Sequence, residues 1–360
     1  MKIIMIMPWK PKTGGIKKWL ENLNREFENL GHQVYDFSPY KLPKPYLALF
    51  LTLNHSPFFY ERLGIIWEFI IKTIIYLPIV VPLVLLNDCV ISFYPPDSII
   101  FQIFAKAFKK KNISVVHQAR NITKAKICHY LWKKHYMLAD DIVAISDDVK
   151  EDVEKIYGVN SEKIVVIYNG LKLEKFEKIE DVELEGEPAI LYVGRFEPIK
   201  GPDILVKAFS IICRKYPKAF LHMVGDGTLR KKLETLVKSQ NLDKKVKFYG
   251  YVIPPYSHMK NADILVIPSR YDAMPNVVLE AMACNVPIVA TNVGGLKNII
   301  IDGENGLKAK PEPIDIAEKI MLLWKDDMLR DKIRNFQREF IKRFTWRKTA
   351  EEYLEIMTQR

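Results

Sequence analysis

Ile190-Leu191-Tyr192-Val193-Gly194-Arg195-Phe196-Glu197-Pro198-Ile199-Lys200-Gly201 opens as a short apolar run rich in strand formers, breaks on a glycine, and passes through Pro198 and Gly201 into a helical stretch. That is a strand, a turn and a helix. Around it the same unit recurs, with strands expected at Leu221–Val224, Val246–Tyr249, Ile264–Ile267 and Pro287–Ala290 and helical stretches between them. Alternating strands and helices predict a doubly wound parallel sheet, whose ligands bind beyond the carboxyl ends of the strands. The chain begins in the same way: Lys2–Met7, the turn Thr13-Gly14-Gly15, then Trp19, Leu20, Leu23, Phe27 and Leu30 at helical spacing up to Gly31, and a strand from His32 to Tyr35. Cys89–Phe93, Ser114–His117, Asp141–Ile145 and Ile164–Ile167 read as further strands of this first series. A single core rarely grows past roughly 250 residues, so 360 residues imply two domains. The acidic, aperiodic segment 174–188 reads as the linker between residues 1–173 and 189–344, and a last amphipathic helix runs from Thr345, a possible cap, to about Met357.

Four scattered cysteines, Cys89, Cys128, Cys213 and Cys284, form no Cys-x-x-Cys pair, which argues against a zinc site or a disulfide framework and fits a reducing cytoplasm. Met1–Met7 is apolar but stops at Pro8, too short for a signal-peptide core, and alternates like a first strand. The formal charge of +11 is uneven, since residues 1–140 hold 19 Lys/Arg against 9 Asp/Glu. Between Lys106 and Lys134 there are nine basic residues and no acidic one, with Tyr130 and Trp132 among them. Such a patch suits an anionic membrane surface or a phosphate-bearing acceptor, and equally a plain solvated face; no nucleic-acid-binding motif accompanies it. Pro57–Leu77 would make a helix with Glu61, Arg62, Glu68 and Lys72 on a narrow polar stripe, either buried or lying in a membrane interface. The charge-free run 73–86 falls short of the roughly 20 residues a spanning helix needs, and Pro78 and Pro82 interrupt it.

Two constellations carry chemistry. Arg195 and Lys200, just past a strand end, suit a diphosphate, one as a planar fork and the other as a point charge, although a surface ion pair would look the same. The second runs from Pro268-Ser269-Arg270-Tyr271-Asp272 through Ala273-Met274-Pro275-Asn276-Val277 into a helix bearing Glu280. The N–H groups of that helix terminus suit a phosphate, while Asp272 and Glu280 can face one pocket, where a ribose diol would suit Glu280. The pairs Asp140-Asp141 and Asp147-Asp148 read as helix-end residues rather than as metal ligands.

These elements together resemble the large retaining glycosyltransferase family called group 1 or family 4. The resemblance runs through Gly14-Gly15, Gly31-His32-Gln33-Val34, Ser146 to Asn169-Gly170, Gly194–Gly201, Val224-Gly225-Asp226-Gly227, Asp272–Glu280 and Thr291–Gly295. It implies the GT-B architecture: two Rossmann-like domains facing a cleft, with the final helix, 345–360, crossing back to the N-terminal domain. It implies a sugar transferred from a UDP- or GDP-sugar to a glycan or lipid-linked acceptor, with retained configuration and no metal or other cofactor. By position, Arg195 and Lys200 would stabilise the leaving diphosphate, Asp272 would hold the donor sugar, and Glu280 the ribose. Backbone groups of Met274, Pro275, Asn276 and Val277 would fix sugar and phosphate. Gly14 and Gly15 would let the first loop approach the diphosphate, and Tyr251 and Val252 would meet the nucleobase. These residues leave UDP and GDP equally open; the cysteine usage and the short apolar start fit a cytoplasmic protein, peripheral on the membrane if the basic face is used.

Three positions depart from the family pattern. Asp272 stands where relatives carry glutamate, one methylene longer. Tyr94-Pro95-Pro96 replaces a histidine near the acceptor, and His117 is the nearest substitute, either functional or merely structural. Asn285 replaces a glycine, and asparagine best shares glycine's left-handed conformation. The rival reading is a catalytically silent GT-B protein that binds a membrane surface or glycan, kept open by Tyr94 and Asp272.

Overall fold

The computed structural model describes all residues except 7–14, 38–76, 79, 94–96, 120–125, 275 and 360. Residues 57–76 of the helix expected at 57–77 lie outside the described residues. The chain divides into two compact units, Met1–Tyr168 with Trp346–Arg360, and Asn169–Thr345.

The first unit holds a six-stranded parallel sheet in the order β2-β1-β3-β4-β5-β6. Its strands are β1 (Lys2–Ile6), β2 (Gln33–Phe37), β3 (Cys89–Ser92), β4 (Lys111–Val116), β5 (Asp141–Ala144) and β6 (Ile164–Val166). The first strand does not alternate between buried and exposed: Ile3, Ile4, Met5 and Ile6 are all buried. Ile3 and Met5 pack into one core and Ile4 and Ile6 into another, as successive side chains of a central parallel strand must. On the first face, helix α1 (Gly15–Asn29) places Trp19, Leu23 and Phe27 against Trp346, Ala350 and Tyr353 of the last helix, Trp346–Thr358. Trp19 meets Trp346 and Tyr353 edge-on at 6.4 and 6.1 Å. The chain's end thus completes the first unit's core.

On the other face, α2 (Asp97–Ala107) and α3 (Lys126–Leu138) enclose a polar network. His135 Nδ1 lies 3.0 Å from Gln102 Oε1 and 3.2 Å from Ser98 Oγ, and Nε2 lies 2.7 Å from Ser114 Oγ. Because the Gln102 oxygen can only accept, the proton sits on Nδ1 and Ser114 donates to Nε2. Burial pushes the His135 pKa down to about 3. The imidazolium is therefore favoured in the unfolded chain, and the stability gained from a neutral His135 is complete above pH 6.5 and lost as pH falls toward 3. Between pH 7 and pH 5 this amounts to about 2 kcal/mol. Denaturant unfolding at the two pH values should show this slope in the wild type and a flatter one in His135→Gln; equal slopes would count against it. Trp132, grouped by its neighbours with the basic patch, is buried beside Tyr136, at 5.6 Å.

Helix α4 (Asp147–Tyr157) is capped by Ser146, whose side chain accepts from Val149 N, with Asp147 and Asp148 in its first turn. Asp140 accepts from Asn112 N at 2.9 Å and Asp141 pairs with Lys111 at 2.7 Å.

The second unit holds the strands β7 (Ala189–Val193), β8 (Phe220–Val224), β9 (Val246–Gly250), β10 (Ile264–Ile267), β11 (Ile288–Thr291) and β12 (Leu307–Ala309). All pair in parallel, in the order β12-β11-β10-β7-β8-β9. Numbered from β7, this is the Rossmann order, with its switch point between β7 and β10. Strand β12 is an addition to the five that the residue pattern predicts; Leu307-Lys308-Ala309 is too short to signal itself. Helices α5 (Pro202–Lys215), α6 (Arg230–Ser239) and α10 (Pro313–Lys325) build the main core on one face with Ile190, Tyr192, Ile264, Val266 and Val289. Between them in the chain come α7 (Tyr256–Asn261), α8 (Asn276–Ala283) and α9 (Leu296–Ile299).

The change of unit falls between Tyr168 and Asn169, ahead of residue 173. The acidic segment expected as a linker is docked on the second unit. His222 Nε2 donates to Glu185 O at 2.8 Å while Nδ1 accepts from Tyr249 OH at 2.8 Å. Asp181 pairs with Lys260 at 2.8 Å, and Phe176 packs on Tyr256 with ring centroids 4.4 Å apart.

Candidate functional site

The loops leaving β7 and β10 meet at the switch point of the second sheet. After β7, Gly194 N bonds Val224 O at 3.0 Å and Phe196 N bonds Asp226 O at 2.8 Å, so this loop is also tied to the Gly225-Asp226-Gly227 turn after β8. Arg195 is exposed, and its carbonyl accepts from the buried Tyr192 hydroxyl at 2.9 Å. A single 3₁₀ turn, Pro198–Lys200, then presents Lys200. After β10, Thr291 Oγ1 donates to Ser269 O at 2.6 Å, and Asp272 O accepts from Gly295 N at 2.8 Å. This loop is therefore fixed to the one after β11.

Lys200 Nζ donates to Asp272 Oδ2 across the two loops. The Asp272 side chain is 9% exposed and that of Lys200 24%. The two residues thus lie in direct contact although 72 positions apart, and each neutralises the other in a partly dry site. Arg270, inside the same loop but given no role from sequence, holds Asp203 with both guanidinium nitrogens at 2.8 and 2.7 Å and reaches Pro198 O at 2.6 Å. Its position in the motif was visible, but a partner 67 residues away was not.

Glu280 lies half-buried on α8. Burial first, and the Glu280 carboxylate second, push the Tyr256 hydroxyl and the Cys284 thiol each up to about 12. Cys284 is therefore no nucleophile at neutral pH. Met274 is buried, Asn276 starts α8 and accepts from Asn169 Nδ2 at 3.4 Å, and Val277 is half-buried. Tyr251 is 67% exposed just past β9, where its hydroxyl lies 3.4 Å from Asp226 O, with Val252 beside it. Asn285 adopts a left-handed φ of +58°, as its place after a helix end requires. Gly14, Pro275 and Tyr94-Pro95-Pro96 lie outside the described residues, and Gly15 opens α1.

His117 stands in the first unit, just past β4, with Trp19 edge-on at 5.2 Å and Phe93 stacked at 6.2 Å. The residue as a whole is half-buried, but its Nε2 is sealed from solvent and finds no partner among the described residues. Burial pushes its pKa down to about 4, so the ring is a neutral base at physiological pH. Among the described residues, no group of three or more His, Cys, Asp or Glu is placed to hold a metal ion, and no helix is long and apolar enough to cross a membrane.

A Rossmann-ordered sheet with the Lys200–Asp272 contact at its switch point has the arrangement in which α/β proteins bind ligands. The family model for glycosyl transferases group 1 matches residues 174–340, and that for glycosyltransferase family 4 matches residues 13–175. An uncharacterized glycosyltransferase of Methanocaldococcus jannaschii is 30% identical over 97% of this chain and 95% of its own. The chain belongs to the group 1 glycosyltransferases and is an enzyme of that class. A Campylobacter jejuni relative, N-acetylgalactosamine-N,N'-diacetylbacillosaminyl-diphospho-undecaprenol 4-alpha-N-acetylgalactosaminyltransferase, is 27% identical over 68% of this chain and 67% of its own. The crystal structure of Anabaena HepE with UDP superposes with a TM-score of 0.74 at 18% identity, covering 99% of this chain and 100% of that one. The fold is GT-B.

Proposed function

We propose that the second unit binds a nucleotide-diphosphate sugar at the switch point and transfers its sugar, with retained configuration and without a metal, to a glycan or lipid-linked acceptor. The observation that carries this reading is the contact of Lys200 with Asp272 at the carboxyl ends of β7 and β10. In this reading the ammonium exchanges its carboxylate partner for the leaving diphosphate, where fixed positive charge acts most strongly in the transition state. Asp272 is then released to the sugar hydroxyls, Glu280 takes the ribose, Arg195 adds a second cation from solvent, and the exposed Tyr251 with Val252 offers a ledge for the base. In the transfer, the bond from the anomeric carbon to the diphosphate breaks and that to the acceptor oxygen forms. The acceptor's proton passes to the departing phosphate on the same face.

UDP is the first donor to try, since HepE holds it, with GDP the alternative. The diphospho-undecaprenol acceptor of the Campylobacter relative and the exposed Lys106, Lys109, Lys133 and Lys134 favour a lipid-linked acceptor met at an anionic membrane surface on the cytoplasmic side. The test is a melting and slow-hydrolysis screen of UDP- and GDP-sugars in chelator, with cosedimentation on anionic liposomes at low salt. A donor at a hundredfold excess over Kd should raise the melting temperature by about 5 °C or more, and Glu280→Ala should abolish most of the rise. Failure of every nucleotide sugar at millimolar concentration would sink the donor reading, and protein left wholly in the supernatant the membrane one.

A further inference from the structure

We propose that Arg270 is a positioning residue for donor chemistry, which holds the turn bearing Lys200 and the loop bearing Asp272 in a single register. The inference rests on the donor-site reading above. Arg270 lies two residues before Asp272, and its backbone N donates to Ile199 O at 2.8 Å, directly before Lys200. Its side chain grips both flanks of the same turn. Nη1 reaches Pro198 O at 2.6 Å and Asp203 Oδ1 at 2.8 Å, and Nη2 reaches Asp203 Oδ2 at 2.7 Å. Pro198 opens the 3₁₀ turn that ends on Lys200, and Asp203 lies in the first turn of α5. One guanidinium therefore closes a ring from Pro198 to Asp203 around Lys200.

The fork is occupied by acceptors of its own domain, so Arg270 acts through Lys200 and Asp272. Burial works against the Asp203 carboxylate, but the hydrogen bonds and charge of Arg270 outweigh it and keep the group below its usual range. The pair is thus ionised throughout the neutral range. Only arginine has the planar set of donors needed to span the carboxylate and the carbonyl together; a lysine can hold Asp203 but has a single nitrogen to divide.

The experiment compares wild type, Arg270→Lys, Arg270→Gln, Asp203→Asn and the double variant Arg270→Gln/Asp203→Asn, with Arg347→Gln, in an exposed ion pair with Glu351 of the first unit, as control. Arg270→Lys should melt within about 2 °C of wild type yet lose about thirtyfold in kcat with donor KM changed less than about threefold, because misplacement by an ångström weakens the transition state more than binding. The amides of Ile199, Lys200, Gly201, Asp203 and residues 269–272 should exchange with deuterium about tenfold faster. The double variant should be no slower than Arg270→Gln, since the two residues act as one unit. A purely structural ion pair would instead be rescued by lysine in kcat and melting alike. If wild type turns over donor and Arg270→Lys matches it in kcat and exchange, the role of Arg270 alone falls. If wild type engages no nucleotide sugar, the donor reading falls and takes this inference with it, whatever the exchange pattern.

Discussion

Lys200→Ala is expected to lower kcat by about 10²- to 10³-fold, the range seen when one fixed donor to a developing negative charge is removed. Donor KM should move less, because the charge grows as the diphosphate departs. The substitution also leaves Asp272 behind, nearly buried and without its cation. An unpaired carboxylate in such a place costs about 1–3 kcal/mol, somewhat under the figure for a fully buried pair because the Lys200 side chain is 24% exposed. The two losses separate in a double variant. Lys200→Ala/Asp272→Asn should regain most of the melting temperature while staying as inactive as the single variant. Steady-state kinetics and thermal unfolding of the three proteins decide it. Recovery of activity along with stability, or a kcat within threefold of wild type for Lys200→Ala, would place the charge on the diphosphate elsewhere.

What sequence makes legible here follows the reach of each signal. Strand β7 and the turn through Gly201 are encoded by adjacent residues, so fold class and the placement of Lys200 can be read directly. The contact of Lys200 with Asp272 links two loops whose motifs are each visible, and the Rossmann order brings them together. The Arg270–Asp203 fork escapes because neither residue is unusual in its own segment; only the return of β10 beside β7 makes them neighbours. β12 escapes for want of length, and the apparent alternation in β1 fails because a central parallel strand buries both faces. The acidic segment 174–188 looks like a linker by composition. His222 and Lys260, far along the chain, hold it to the second unit. Acceptor recognition is least legible, since the loops after β1 and β3 carry weak motifs and Tyr94-Pro95-Pro96 departs from the family pattern.

Gly201→Ala should cost roughly 2–5 kcal/mol and about a hundredfold in kcat, although it adds one methyl group next to Lys200. Two terms contribute. The backbone at Gly201 has φ +64°, where alanine is disfavoured by about 1–2 kcal/mol. In addition, a Cβ built there would lie 2.0 Å from Pro268 O and 3.0 Å from its carbonyl carbon. That carbonyl directly follows β10, and the next one, Ser269 O, is held by Thr291. Neither chain can give way without moving the Lys200 turn from the Asp272 loop, and overpacking of this kind costs about 1–3 kcal/mol more. Such a loss lies within the 5–15 kcal/mol stability of ordinary domains, so the variant should fold, melting roughly 5–15 °C lower. The hundredfold fall in kcat is what about an ångström of misplacement exacts. Gly303→Ala isolates the backbone term: its φ is +74°, yet a Cβ would meet nothing within 4 Å. It should lose about 1–2 kcal/mol and keep wild-type kcat. Were Gly201→Ala to match Gly303→Ala in both melting temperature and kcat, the close approach of the two loops would not be what sets the geometry of the site.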